Sequence, residues 1–376
     1  MTAMSPVAID DTVPASGRAP RSGTWRLTWQ GVRTVAQLEL RQRVRSTRWV
    51  VALVVWFVVV GGLTLLLSGA LSSETMGSET ETGPLMFGAV VYLVLGLGLL
   101  VTPTLTSTTV NGDRNAGTLA TLQVTLLSPA EIALGKLAAA WLAACVFLLI
   151  SVPFLVLALF RGNTPPSALL RVVVIVALLL AAVCGIGLGF SALVSRTAGS
   201  TVLTFMSVAA LVLLTPTLFG LTFPSITQEE QVTVWAPPAS WNYDGQPECE
   251  LTTQTRDVSH TERTWWLLGI NPFVVVADGA GTRPTPPPDD TGGGTADPLG
   301  SIRDGVRDLR SPDKVLDECW MYGEGTAPAA PDRHTPGPVW PWGLAANLLL
   351  GVVGFVVAVR RLTIPSRKLP RGTRVA

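Results

Sequence analysis

The sequence predicts an all-α integral membrane protein with six transmembrane helices, both termini cytoplasmic and one large, partly disordered outer loop. Composition is the first reason. Of 376 residues, 48% are hydrophobic and 14% charged, whereas soluble domains carry roughly a quarter charged. Length is the second. Six charge-free runs, Trp49–Ser73, Gly83–Gly112, Leu137–Phe160, Val172–Ser195, Thr197–Gln228 and Thr335–Val359, each reach the about 20 residues a spanning helix needs. Backbone chemistry is the third: in hydrocarbon the chain must satisfy its own hydrogen bonds, so such runs are helices. A barrel would show short alternating segments instead.

The helical cores are placed at 49–69, 85–107, 137–159, 171–194, 200–222 and 339–359. The first is read as a span and not a cleaved signal peptide, because it is too long and 48 residues precede it. Arg and Lys near helix ends mark the cytoplasm. The segment 1–48 carries eight (Arg18, Arg21, Arg26, Arg33, Arg41, Arg43, Arg45, Arg48), and the tail 361–376, with Arg360 just before it, brings the C-terminal total to six and no acid. The loop at 70–84 has Glu74, Glu79 and Glu81 and no base. Both ends therefore lie inside. The chain divides into the basic N-terminal segment 1–48, helices one to five at 49–223 with an inner loop at 110–136, an outer loop at 224–337, a sixth helix at 338–360 and the basic tail.

The outer loop holds eight basic and eighteen acidic residues, net −10. Long loops escape the charge rule. Its stretch 281–300, "GTRPTPPPDDTGGGTADPLG", is of disordered composition. Cys249 and Cys319 share this loop. Outside the cytoplasm they either pair, worth about 4 kcal/mol by loop entropy, or stay as two separate thiols. Cys145 and Cys184 read as small apolar packers. The run 265–277, "WWLLGINPFVVVA", is apolar but too short to span. It is either a re-entrant segment with Trp265 and Trp266 at headgroup depth or the core of a small ectodomain.

The spans carry no Asp, Glu, Lys, Arg or His at their centres. Ion-driven transporters and intramembrane enzymes usually place such groups there. The two histidines, His260 and His334, have no ligand-spaced partners, so no metal site and no catalytic set is expected. If the chain moves something, the energy enters from elsewhere. Gly96-Leu97-Gly98 and "CGIGLGF" at 184–190 allow close helix approach, within the subunit or at a dimer seam. Pro103, Pro153 and Pro216 are expected to kink or interrupt their helices.

Two cytoplasmic pieces remain. Apolar residues at 25, 29, 32, 36, 40 and 44 give helical spacing, with Trp25 and Trp29 on the stripe and Arg33, Arg41 and Arg45 largely off it. Arg43 falls on the stripe and is read as snorkelling. A basic amphipathic helix with tryptophans belongs in the membrane interface. In the inner loop, Gly135-Lys136 is no phosphate-binding loop, since Ala130 and Leu137 stand where Gly and Ser or Thr are required.

That loop, "DRNAGTLATLQVTLLSPAEIALGK" at 113–136, resembles the cytoplasmic loop of ABC-2 type transporter permeases, whose pattern runs E-R-x-x-G-T-L, T-P-[LV]-S, E-I-x-x-G-K. Asp113, Arg114, Gly117, Thr118, Leu119, Thr125, Ser128, Pro129, Glu131, Ile132, Gly135 and Lys136 stand at matching or near-matching places. Asn115 replaces the usual second acid, and Leu126 the usual Pro. The Asn271-Pro272-Phe273 triplet resembles the family's outer loop before its last span. The resemblance leaves out the insert at about 225–335.

The resemblance implies a permease subunit of an ATP-driven exporter that is not itself an enzyme. A separate cytoplasmic ABC ATPase would bind ATP and Mg, and this chain would hold no cofactor. It further implies a second permease copy, identical or related, in a lipid bilayer, with no nucleic acid. The inner loop would dock on the ATPase, with Leu119 and Leu122 as a small apolar face and Asp113 and Arg114 as rim charges. Arginine outnumbers lysine heavily, only Lys136, Lys314 and Lys368 being lysine. That bias suits a GC-rich bacterial source and hence a bacterial plasma membrane. The rival reading is a membrane-anchored binding or scaffold protein whose acidic outer loop is the working part.

Overall fold

The computed structural model describes residues 23–71, 79–118, 127–161, 164–238, 249–281, 297–310, 316–319 and 337–363. Helix α1 (Trp29–Val44) turns at Arg45-Ser46 into α2 (Thr47–Leu71). There follow α3 (Glu79–Thr106), the short α4 (Asn111–Asn115), α5 (Pro129–Arg161) and α6 (Pro166–Leu193). Helix α7 (Thr197–Ala209) continues through a π-helical turn, Ala210–Leu214, into α8 (Thr215–Ile226). Next come strands β1 (Thr227–Ala236) and β2 (Glu250–Ser259) and helices α9 (Trp265–Gly269), α10 (Pro272–Gly279) and α11 (Pro298–Asp308). The chain closes with β3 (Leu316–Asp317) and α12 (Trp340–Leu362).

Among the described residues six helices are long and apolar enough to cross a membrane, and they coincide with the six runs of the sequence. Their outward faces carry exposed Val, Leu and Phe, such as Val54, Phe57, Val58 and Leu66 on α2, as lipid contact requires. Helix α6 is central, with 16 of its 28 residues buried. It packs on α3 and α5 through Leu179 and Leu180 against residues such as Phe87, Leu95 and Leu155. Free Cys184 is buried within it, and free Cys145 is half-buried on α5.

The α6–α12 contact is built from glycine. A Cβ on Gly185 would lie 2.4 Å from the Gly351 carbonyl oxygen, and one on Gly189 would lie 2.7 Å from the Gly354 Cα. The small-residue run at 184–190 therefore serves packing within this chain. Of the expected proline effects, Pro103 and Pro153 lie inside continuous helices, while Pro216 stands at the start of α8, directly after the π turn.

Helix α5 starts at Pro129, eight residues before the expected core. Ser128 and Glu131 explain the early start. The Ser128 hydroxyl accepts from the Glu131 N–H at 3.1 Å, while the Glu131 carboxylate accepts from the Ser128 N–H at 2.8 Å. That reciprocal pair is a capping box, and proline suits the first helical position. The inner loop at 110–136 is thus shorter than expected, since Pro129–Lys136 are the first two turns of a spanning helix.

The end of the bundle away from α1 carries a three-stranded sheet, order β2-β1-β3, with β1 antiparallel to β2 and parallel to β3. This sheet was not anticipated within the outer loop. The stretch 281–300 lies mostly outside the described residues. Cys249 and Cys319 are bonded, with Cα atoms 6.5 Å apart and 70 residues of separation. Beside the bond, Arg256 donates to both Glu318 oxygens at 2.6 and 3.0 Å. The hydrogen bonds from Arg256 hold the Glu318 carboxyl below its usual range, against a smaller opposing effect of burial. A depressed carboxyl stabilises above its unfolded pKa, and that contribution is lost as pH falls through the folded value. We therefore predict that Cys249→Ser, Cys319→Ser, or reduction, lowers the thermal midpoint of the sheet region, and that Arg256→Gln removes part of its loss of stability in acid. Gel mobility with and without reductant, and a pH series of Trp fluorescence, check these outcomes.

The same end holds α9 and α10. Helix α10 is buried from Val274 to Gly279, with Gly279 tight against Ile175 of α6 and near Trp340 of α12. It is therefore packed against α6 and α12. Trp266 is 45% exposed, and Trp265 lies 4.6 Å below the Arg310 guanidinium. Asn271, Pro272 and Phe273 each have a defined use. Asn271 caps α10, its side chain accepting from the Phe273 N–H at 2.9 Å. Pro272 is the first helical residue, and Phe273 stacks on Tyr92 at 5.4 Å.

The Asn271 amide also answers a need created elsewhere. Pro216 has no N–H to give the carbonyl four residues before it, that of Val212. Asn271 Nδ2 donates there at 2.9 Å and to Thr215 Oγ1 at 3.3 Å. Asn347 of α12 likewise donates to the Ile270 carbonyl at 2.8 Å. At the far end of α10, Asp278 accepts from the Val339 and Trp340 N–H groups at 2.6 and 2.7 Å, an anion at the α12 N-terminus. Asn271→Ala strands the Val212 carbonyl and should cost about 1–3 kcal/mol, read as a lowered melting midpoint in detergent. Asn271→Asp retains the cap and should still show the loss, because it offers no donor to that carbonyl.

Candidate functional site

The α1 end of the bundle gathers most of the residues singled out in the sequence. Thr28 is the N-cap of α1, its hydroxyl accepting from the Gly31 N–H at 3.2 Å. Glu131, 3% exposed, uses its second oxygen to reach across to that cap. It accepts from the Thr28 N–H at 2.7 Å and from the Thr28 hydroxyl at 2.6 Å. One carboxylate therefore closes the N-termini of two helices, α1 and α5, where the exposed N–H groups favour an anion. Ser128 adds a hydrogen bond from its hydroxyl to the Arg26 carbonyl.

Along this seam the helices nearly touch. A Cβ on Gly135 would fall 2.5 Å from the Val35 Cβ, and one on Gly31 would fall 2.8 Å from the Glu131 Cδ. Only glycine allows this approach. Next to it Lys136, whose side chain is fully buried, pairs with Glu39 of α1 and Asp113 of α4. One ammonium thus ties the elbow helix, the loop helix and a spanning helix together.

Helix α4 is anchored from the other side. The Val110 and Asn111 N–H groups donate to Ser191 Oγ of α6 at 2.9 and 3.3 Å. Val110, Ile132, Ala133, Leu188, Ala192, Val359 and Leu362 form one apolar cluster, which joins α4 and α5 to the ends of α6 and α12. Gly117, at φ +73°, ends the α4 turn in the left-handed region that suits glycine. Its N–H bonds the Arg114 carbonyl at 3.2 Å. Asn115, Ala116, Gly117 and Thr118 are exposed, whereas Asp113 and Arg114 are half-buried. Leu119, Leu122 and Thr125 lie outside the described residues.

The predicted loop residues therefore separate into two groups. Ser128, Glu131 and Lys136 are buried in internal contacts. Arg114, Gly117 and Thr118 form or border the presented turn, with Asp113 as the bridge. On α1 the buried face is Gly31, Val32, Val35 and Ala36. Trp25, Trp29 and Val44 stay exposed at 51%, 80% and 62%, as do Arg33, Arg41 and Arg45. The apolar stripe is thus divided between the bundle and the surroundings. Arg43 does not snorkel. It turns inward and donates to the Leu105 carbonyl at 2.9 Å, a cation at the end of α3. Burial lowers its pKa, partly opposed by Glu39, but arginine stays charged.

Thr28, Glu39 and Ser191 were missed. A Thr just ahead of a helical stripe is a cap signal, and Glu39 is the single acid in α1, so two of the three left a trace. Buried ionisable groups among the described residues sit at helix ends or in the outer segment: Glu131, Lys136, Asp278, Asp297 and Arg303. Side chains buried along the spans are uncharged, such as Thr64, Thr102, Ser151 and Asn347.

Fold and site define a multi-pass membrane protein whose charged groups join helices at one end of the bundle. Residues 33–270 match the profile of the ABC-2 family transporter proteins, and the chain belongs to that family. It is a membrane component of transport. The match starts within α1 and runs through both long strands to Ile270. It takes in the first part of the segment 225–335 that the sequence resemblance left out, and it stops just short of Asn271 and the last span. No curated protein matches the chain significantly.

Proposed function

We propose that this chain is the membrane-spanning subunit of an ATP-driven exporter, with the α1 end facing the cytoplasm. Two permease copies would pair around the pathway, and two separate ABC ATPase subunits would bind beneath them, supplying ATP and Mg. The basic segments at both ends of the sequence support the orientation, and a bacterial plasma membrane is the setting the Arg-rich composition suits. The observation that carries the reading is the trio Glu39–Lys136–Asp113, built around a fully buried ammonium. It links the exposed turn Asn115–Thr118 to α1 and α5, and Ser191 links the same segment to α6. A push on that turn therefore reaches several helices as one displacement, which is what switching a bundle between two arrangements requires.

On this reading Asp113, Arg114 and the turn after them meet the ATPase, while Ser128, Glu131, Gly135 and Lys136 pass the motion on. Arg114→Glu should abolish co-purification of the ATPase and cut ATP-dependent export at least about tenfold, with melting and membrane insertion unchanged. Gly117→Val should give the same loss with a penalty of about 1–2 kcal/mol for the left-handed backbone. Undiminished export by Arg114→Glu, or labelling of Thr118 from the exterior face, would overturn the proposal.

A further inference from the structure

A groove of about 680 Å³ opens on the flank of the bundle, where α1 turns into α2. Its two ends differ chemically. At the α1–α2 elbow it is lined by Gln42, Arg43, Ser46, Arg48 and Trp49. Deeper, between α2, α3 and α5, the walls are Val55, Val59, Leu97, Leu100, Val101 and Phe147. The apolar part is continuous with lipid-facing surface, since Val55 and Leu100 are 54% and 56% exposed. An occupant can therefore enter sideways from the bilayer.

The mouth is positive. Glu39 is the one acid on the lining, and Lys136 already engages it. Arg43 gives one N–H to the Leu105 carbonyl, and a guanidinium carries five. The Arg48 side chain is exposed and has no hydrogen-bond or ion-pair partner among the described residues. Trp49 stands edge-on to Phe147 at 5.2 Å, where the polar mouth gives way to the apolar walls. Aromatic residues favour that depth of a membrane.

We propose that this groove is a binding site for one anionic phospholipid of the adjoining leaflet, with its phosphate on Arg43 and Arg48 and an acyl chain along Val55, Leu97 and Leu100. Arginine forks bind phosphate oxygens in pairs. A zwitterionic lipid presents the same phosphate with a cation beside it, and so gains less from two arginines. The site lies against Glu39 and the α1–α2 turn, so an occupant braces the same helix, α1, that Lys136 and Glu131 hold to α5. The inference depends on the membrane setting but not on the ATPase partner.

The test is native mass spectrometry of the full chain in detergent, titrated with phosphatidylglycerol or with phosphatidylcholine of equal chain length. The expected result is one retained phosphatidylglycerol, held roughly tenfold or more tightly than phosphatidylcholine, in line with about 1 kcal/mol per basic residue. Arg48→Gln, at an exposed position without a partner, should reduce that preference severalfold with an unchanged melting curve. Arg43→Gln,Arg48→Gln should bring the two lipids to parity, and Leu97→Trp, which fills the apolar part, should weaken both. Equal retention of both lipids by the unaltered chain overturns the proposal, as does a preference that survives Arg43→Gln,Arg48→Gln. Displacement of the lipid by millimolar inorganic phosphate would show a bare phosphate site and would also overturn it. So would crosslinks from Cys placed at Val59 to a second copy of the chain, since the groove would then be a protein interface.

Discussion

Gly185→Leu is expected to abolish recovery of folded, monodisperse protein, a larger effect than any substitution on the lipid-facing surface. The reason is geometric. A Cβ at Gly185 lies 2.4 Å from the Gly351 carbonyl oxygen and 2.8 Å from the Gly351 Cα, and the reverse contact from Gly354 lies 2.3 Å from the Gly185 carbonyl oxygen. These neighbours are backbone atoms of an adjoining helix, so no rotamer change makes room. The two axes must move apart, and the dispersion contacts of α6 with α12 fall with separation. Overpacking in a close-packed interior costs about 1–3 kcal/mol and sometimes more; here even alanine collides. Gly185→Ala and Gly189→Ala should therefore each lower the melting midpoint, and the leucine variants should aggregate. Gly62→Ala is the control, because a Cβ there meets nothing within 4 Å. Fluorescence-detected size exclusion and thermal melts in detergent decide it. Equal behaviour of Gly185→Ala and Gly62→Ala would place the α6–α12 contact outside what holds the bundle.

How much of this was legible follows from the range of the forces involved. The spans were legible because lipid imposes composition and length on each segment separately. The cap at Ser128 was legible too, since S-P-A-E is a local signal, yet the charges of Glu131 and Lys136 pulled the expected helix start toward Leu137. Charge in a spanning helix is costly only when unpaired, and the partners Thr28, Glu39 and Asp113 lie 103, 97 and 23 residues away. Nothing in one sequence reports such pairings. The sheet was missed for a related reason: β1 and β2 are mostly polar, β1 opens with four consecutive exposed residues after Thr227, and their register depends on cross-strand partners and on the Cys249–Cys319 bond. Asn271 shows the same limit. Its triplet was noticed, but its donation to Val212 answers a vacancy created by Pro216, 55 residues earlier in the chain. The exposed turn Asn115–Thr118, proposed above as the docking surface, was found through pattern resemblance, because an exposed turn leaves no periodicity of its own.

Lys136→Met carries the second large effect, and its size follows from charge balance. Glu39, Lys136 and Asp113 together hold one positive and two negative charges, with the ammonium wholly buried. Removing the cation leaves two carboxylates facing each other without a partner; breaking a buried pair costs about 3–5 kcal/mol, and since Glu39 and Asp113 keep some contact with solvent the loss is expected at the lower end of that range. Removing one acid is different. Glu39→Gln leaves a neutral Lys136–Asp113 pair and a side chain that still accepts a hydrogen bond, so a loss of about 1 kcal/mol is expected. The asymmetry is the prediction: Lys136→Met should melt well below Glu39→Gln and expose α1 to protease. Adding Glu39→Gln and Asp113→Asn to Lys136→Met should restore most of the stability, because the triple variant has no uncompensated charge. Restored stability without restored export would separate the clamp from the coupling, since the neutral trio still packs but no longer ties α4 to α1 through one cation. If Lys136→Met and Glu39→Gln melt alike, the ammonium is not what joins the elbow, the loop and α5, and a push on the exposed turn would have to reach the bundle through Ser191 alone.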